Sequence, residues 1–145
     1  MMPNAKLSGA RMKKKKIRSL KALKNQAWRL MSEFSRQKFA DSFGQVSCVS
    51  CGIRNHWKTM DGGHFYHASR QRPVTYDHRN IHAQCRRCNY YASDARIKYT
   101  LFVESKYGTG TAEELRMLKH QGKEMKRLEL EETILRLQND LEKLS

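Results

Sequence analysis

The sequence predicts an α+β fold, mainly helical, in which a zinc clip organises a small central segment between a basic N-terminal helix and C-terminal helices. Three observations predict it. Four cysteines, all that the chain has, stand as Cys48-Val-Ser-Cys51 and Cys85-Arg-Arg-Cys88, with 33 residues between the pairs. Apolar residues recur at helical spacing on both sides of them, over residues 17–39 and again over 130–144. Between the pairs, residues 59–66 and 80–84 read as short strands.

Taken in order, residues 1–16 read as a flexible basic arm. Lys13, Lys14, Lys15 and Lys16 form a run of like charges that repels itself in isolation and orders on a phosphate backbone. Residues 17–45 hold a basic amphipathic helix. Leu20, Leu23, Ala27, Leu30 and Phe34 mark its apolar face, and Trp28 and Met31 widen it, so these side chains are expected in the core. Lys21, Lys24, Arg29, Arg36 and Lys38 are expected to face outward, where a polyanion could meet them.

Residues 46–108 form the zinc-bound core. The stretch 68–79 contains Pro73 and reads as a loop. Asn89 is expected to open a helix with Tyr90 and Tyr91 in its first turn. That helix runs, with a break near Ser93, to Tyr107, where Gly108 and Gly110 end it. Residues 109–145 read as a helical segment, opened by a capping box at Thr111-Ala-Glu-Glu114 and broken at Gly122. Leu130, Ile134, Leu137, Leu141 and Leu144 alternate steps of four and three, a coiled-coil period sustained over only about two heptads. A helix that short is marginal alone in water. Its stripe must pack on the same chain or on a second copy in a homodimer, and the sequence leaves both open.

Composition narrows the partner. The 145 residues carry a formal net charge of +15 with a pI near 10.0. Residues 1–40 hold twelve Lys or Arg against one acid, Glu33, whereas residues 111–145 hold seven against eight acids. Charge so concentrated favours a polyanion, most simply nucleic acid, with Lys13, Lys14, Lys15, Lys16, Arg18, Lys21, Lys24, Arg86 and Arg87 as the contacts. With 39% hydrophobic and 30% charged residues the core is small, and a metal staple is the usual remedy. No secretory pattern and no long apolar run is visible, so a cytoplasmic protein without a membrane span is expected. In a reducing compartment, paired CxxC reads as zinc rather than disulfide, with a redox CxxC as the minor alternative. Four thiolates fill a tetrahedral site, so this zinc is structural.

The same segment holds the residues for a hydrolysis. Breaking a phosphodiester needs a base to take a proton from water and a hard cation to offset charge on the phosphate. Histidine suits the first task, and an ion held by oxygens suits the second. Asp61-Gly-Gly-His64 offers a carboxylate and an imidazole, with Gly62 and Gly63 expected to let the backbone turn sharply. Asn89 follows a zinc ligand directly and is fixed by it. Asp61 as a turn residue and Asn89 as a helix cap are the plainer readings. Arg86 and Arg87 either offset the charge of the zinc thiolates or meet phosphate. Tyr66, Tyr90 and Tyr91 either stack on splayed bases or pack. Phosphate contact or ordinary hydrogen bonding remain open for His67, His78 and His82.

The order Cys-x-x-Cys, Asp-x-x-His, then Cys-x-x-Cys followed at once by Asn resembles the HNH/His-Me-finger (ββα-metal) nucleases. In detail it looks most like the phage Holliday-junction enzyme endonuclease VII. Closer still is the resemblance to the NinG (Rap) family of phage recombination proteins, carried by CVSCG, DGGHFYHAS, RNIHAQCRRCN and, more loosely, YTLFVESKYG, roughly residues 46–108. The resemblance implies a zinc-stapled ββα-metal core. It places His64 as general base and Asn80 as the middle Asn that steadies the loop carrying the base. It places Asp61 and Asn89 as ligands of a catalytic Mg²⁺ or Mn²⁺, and Cys48, Cys51, Cys85 and Cys88 as zinc ligands. The implied activity is a metal-dependent DNA endonuclease, selective for branched DNA such as a Holliday junction, acting in phage recombination in the cytoplasm of an infected or prophage-bearing bacterium and leaving 5′-phosphate and 3′-hydroxyl ends. Two departures stand out. A Lys-rich arm replaces an extra cysteine-rich N-terminal segment of longer members, and the last metal position is Asn rather than the commoner His. A sequence-specific or nonspecific HNH nickase, and a non-catalytic zinc-dependent DNA-binding protein, are the alternatives.

Overall fold

A computed structural model describes residues 17–145. The Lys13, Lys14, Lys15 and Lys16 contacts therefore lie outside the described residues. Helix α1 spans Leu20–Gln37 and is capped by Ser19, whose Oγ accepts the Ala22 N–H at 3.1 Å. It stops well short of residue 45. Asp41 turns the chain by accepting the N–H groups of Phe43 and Gln45 at 2.9 and 3.0 Å.

Leu23, Ala27 and Met31 of α1 bury against Leu130, Ile134 and Leu137 of α5, Arg127–Lys143, together with Tyr76, Ile81 and Met125. The leucine stripe thus packs on its own chain, through its first three positions. Lys38 corrects the outward-facing expectation. Its Nζ donates to the carbonyls of His78 and Ile81, and burial lowers its pKa to about 7.

Four short strands form two antiparallel pairs. Strands β1, Gln45–Ser47, and β2, Arg54–His56, make a hairpin that the sequence reading missed, and the first cysteine pair sits in its turn. Strand β3, Asp61–His64, pairs with β4, Ile81–Gln84, in a register that sets Asp61 against Gln84 and His64 against Ile81. These two match the expected strand pieces. The connection between them is irregular apart from one 3₁₀ turn at Pro73–Tyr76.

Helix α2, Arg86–Tyr90, starts directly after Cys85. Asn89 lies inside it and does not open it, since the second cysteine turn is itself the first helical turn and the Asn89 N–H donates to the Cys85 carbonyl at 2.9 Å. The cap reading of Asn89 falls with this, and Tyr90 and Tyr91 stand at the end of α2 instead of in its first turn. Helix α3, Ala95–Tyr107, follows the expected break and ends at Gly108, whose φ of 107° suits glycine. Helix α4, Thr111–Gln121, ends at Gly122 as expected but has no capping box. The carboxylate of Glu104, reaching over from α3, takes the Gly110 and Ala112 N–H groups at 2.6 and 3.0 Å and does that work.

Two smaller apolar clusters flank the β3–β4 pair. Val46, Cys48, Met60, Ala83, Cys88 and Ala95 surround the cysteines. Val49, Phe65, Val74, Tyr99, Val103 and Leu115 join the loop to α3 and α4.

Candidate functional site

The four cysteine sulfurs lie within 4.8 Å of one another, and Sγ of Cys51 is 3.8 Å from Sγ of Cys85. A tetrahedral ion with zinc–sulfur bonds of about 2.3 Å spaces its sulfurs by about 3.8 Å, so the set fits zinc. Cys48 and Cys88 are buried and Cys51 is exposed. Burial, and after it the neighbouring cysteine sulfurs, push the Cys88 thiol above its ordinary pKa. The Ser50 N–H points at Cys48 Sγ, 3.4 Å away, and Gly52 takes a φ of 78° to close the turn. Bound by all four, an ion would tie the β1–β2 turn to the start of α2, with no position left for a substrate.

That tie matters because α2 carries Asn89 to β3. Asn89 Nδ2 donates to Asp61 Oδ2 at 3.3 Å, and the Arg86 guanidinium lies 3.6 Å from Asp61 Oδ1. Asp61, His64 and Asn89 line one cleft of about 750 Å³, with Arg36, Lys58 and His67 also on its walls. The Asn89 amide thus turns its nitrogen to Asp61; with the amide turned over, its oxygen and the carboxylate would offer two oxygen ligands to a hard divalent cation, and the surrounding cations suit a phosphate.

Gly62 and Gly63 serve a different purpose from the expected sharp turn. Both lie within β3, and neither has a positive φ. A Cβ on Gly62 would sit 2.9 Å from Ser32 Oγ and 3.2 Å from Ser32 Cα, and one on Gly63 would sit 2.7 Å from Gln84 Cβ. The glycines let α1 and Gln84 close onto the strand, which brings α1 up to the cleft.

His64 is held on two sides. Its Nε2 lies 3.0 Å from the Thr75 carbonyl. A carbonyl only accepts, so Nε2 carries the proton and Nδ1 is left as the acceptor. Trp28 of α1 stacks on the ring at 4.8 Å with 15° between planes, and Arg70 lies over the Trp28 ring at 5.1 Å. Periodicity put Trp28 in the core; it lines the cleft instead. Burial lowers the His64 pKa to about 4, so the imidazole is neutral across the physiological range.

Asn80 is fully buried and uses its whole amide. Nδ2 donates to the Tyr66 and Val74 carbonyls and Oδ1 accepts the Tyr66 N–H, each at 2.9 Å. It pins the loop one residue away from Thr75, whose carbonyl holds His64. Its geometry is that of a positioning residue outside the cleft.

The remaining sites sort by contact. Tyr99 donates its hydroxyl proton to the Gly63 carbonyl at 2.7 Å, so its oxygen must accept from His82 Nδ1 at 2.9 Å, and the Tyr107 hydroxyl donates to His82 Nε2 at 2.7 Å. His82 is thus a buried structural link. His67 is exposed, with its ring 6.2 Å from that of His64. Lys21, Arg86 and Arg87 are exposed, Lys24 is half-buried, and the Arg18 side chain meets Gln26. Among the described residues, no helix is long and apolar enough to cross a membrane.

The comparisons with known proteins agree with one another. A family model described as "Bacteriophage Lambda NinG protein" matches residues 4–145. Proteins named ninG from Salmonella phage P22 and Escherichia phage lambda are each 31% identical to the chain over 108 residues, covering 70% of it and 50% of their own length. The chain spans about half the length of these curated relatives. No solved structure matches it. With the family model matched over nearly all of its residues, the chain belongs to the bacteriophage lambda NinG family.

Proposed function

We propose that this chain is a metal-dependent DNA endonuclease with a ββα-metal core, β3, β4 and α2, that hydrolyses phosphodiester bonds in branched DNA such as a Holliday junction. One observation carries the reading: Asp61, Asn89 and His64 converge in a single cleft with cationic walls, while a closed cysteine set stands beside it. A DNA-binding protein without catalysis needs the charge and the zinc but not that convergence.

In this reading Asp61 and Asn89 hold Mg²⁺ or Mn²⁺, which when bound offsets charge on the phosphate and leaving oxygen. Nδ1 of His64 takes the proton from the attacking water, and the Thr75 carbonyl keeps the other nitrogen protonated. A base lowered to about 4 is weak, but a phosphate in the cleft favours the imidazolium and raises it. Arg36, Lys58 and Arg86 draw in the backbone. Such contacts read phosphates and shape rather than base sequence, which supports structure selectivity. The partner is branched DNA, and the place of action is the bacterial host cytoplasm.

The test incubates the protein with a labelled four-way junction and a linear duplex of the same sequence, each with Mg²⁺, with Mn²⁺ and with neither. Paired cuts at the junction that need the ion are the expected result. Equal cutting of both substrates would mean a general HNH nuclease or nickase. Tight binding with no cutting under any condition would leave a non-catalytic zinc-dependent DNA-binding protein.

A further inference from the structure

Tyr66, Tyr90 and Tyr91 part company in the structure. Tyr66 is half-buried, with Arg96 at 4.7 Å and Lys119 at 5.8 Å from its ring and the Phe65 ring at 4.7 Å. Tyr90 and Tyr91 are 66% and 80% exposed, and their rings lie 6.1 Å apart. Two adjacent aromatic rings are left open to water, and exposed apolar surface grouped in this way is a feature of binding sites. Tyr90 lines the same cleft as Asp61 and Asn89. Cys85 and Cys88 anchor the short helix that carries it, so the ring sits on a braced element. Arg86 and Arg87, both exposed, share that helix, which holds no acid.

We propose that Tyr90 and Tyr91 form a stacking platform for an unpaired base next to a phosphate drawn into the cleft by Arg36 and Lys58. The occupant is a nucleotide, not a protein surface, because the rings follow Arg86 and Arg87 on α2 and Tyr90 lines a cleft walled by Arg36 and Lys58, which is charge complementary to a phosphate backbone. An aromatic face accepts any base but needs that base out of the duplex stack. The platform therefore selects DNA with unpaired nucleotides at a branch over fully paired duplex. This inference rests on the proposed placement of a DNA phosphate in the cleft, but not on cleavage.

The test measures binding with Ca²⁺ in place of Mg²⁺, so that affinity is read directly. The probes are a junction with two unpaired nucleotides at the branch and a linear duplex of the same length. Stacking of one base corresponds to roughly a 5- to 150-fold change in affinity. Tyr90→Ala and Tyr91→Ala should weaken binding to the unpaired probe by a change in that range, while duplex binding stays within about twofold. Tyr90→Phe and Tyr91→Phe should restore it, since the ring and not the hydroxyl stacks. Equal losses on both probes, no loss on either, or no rescue by Phe would each overturn the platform. If His64→Ala abolished cutting while the tyrosine variants left both affinities unchanged, the nuclease reading would stand and the platform alone would fall.

Discussion

The α1–α5 pair and the cysteine-clipped segment are held together by different forces. The helix pair runs 18 and 17 residues and buries Leu23, Ala27, Met31, Leu130, Ile134 and Leu137 against one another, so apolar burial supports it. The clipped segment has strands of three and four residues and a helix of five, none of which is stable alone. Beside two small apolar clusters it buries four polar side chains, Asn80, His82, Gln84 and Thr75, and each is hydrogen-bonded. The candidate chemistry lies where the two meet, with Trp28 and Arg36 from the helix and Asp61, His64 and Asn89 from the segment. One region supplies a rigid floor. The other supplies the candidate groups, held by small apolar clusters, a set of hydrogen bonds and the cysteine cluster that fits a zinc ion.

The sharpest way to break this contrast is to remove one cysteine of the cluster that fits zinc. Structural zinc sites contribute on the order of 10 kcal/mol to folding of the elements they clip. In Cys85→Ser, hydrogen exchange should show β1, β2 and α2 unprotected while the amides of α1 and α5 that face each other keep some protection. Uniform protection across both regions would mean that the cysteines are not a staple.

The converse change is Leu130→Ala, at a fully buried position. Denaturant unfolding should show a loss of about 2–5 kcal/mol, with zinc content still one per chain in the folded protein. Zinc loss ahead of unfolding in this variant would show that the two regions are not separable.

Acid should act on the polar region. Burial lowers His64 to about 4 and His82 to about 2. Their unfolded value is near 6.5, so the folded state binds fewer protons. The stability they support is complete above pH 6.5 and is lost as pH falls from 6.5 toward the folded values, by on the order of 1.4 kcal/mol per pH unit for each ring. Melting at pH 7.5 and 5.5 checks this, with zinc content followed because thiolate protonation works in the same direction. A Tm unchanged over that range would mean both rings accept protons in place.

The smallest expected effect is at the surface. Lys21→Ala should leave stability within about 0.5 kcal/mol and reduce the salt slope of DNA binding by about one. An unchanged slope would remove this face of α1 from the DNA contacts.

How much of this could be read from the residues follows the same division. The helices were legible because apolar period needs no partner to be seen, and the breaks near Ser93 and at Gly122 carried ordinary signals. The cysteine pairs and the strand pieces around Asp61-Gly-Gly-His64 and Asn80 were legible from spacing. Hairpin β1–β2 was not, because three-residue strands show no alternation. A helical period also gives a face without saying what covers it, which is why Trp28 was assigned to the core although it stacks on His64. Gly62 and Gly63 looked like a turn because close approach of another element leaves no mark on the sequence except the glycine itself. The cap of α4 comes from Glu104 on another helix, beyond the reach of any local motif.

The central claim is that His64, held by Thr75 and Trp28 beside Asp61 and Asn89, is the base of a DNA hydrolysis. The most direct test is single-turnover cleavage of a four-way junction by His64→Ala, with DNA affinity and zinc content measured on the same preparation. The account predicts a rate loss of roughly 10²- to 10⁴-fold with affinity and zinc unchanged. Cleavage within about twofold of the unaltered protein would contradict it.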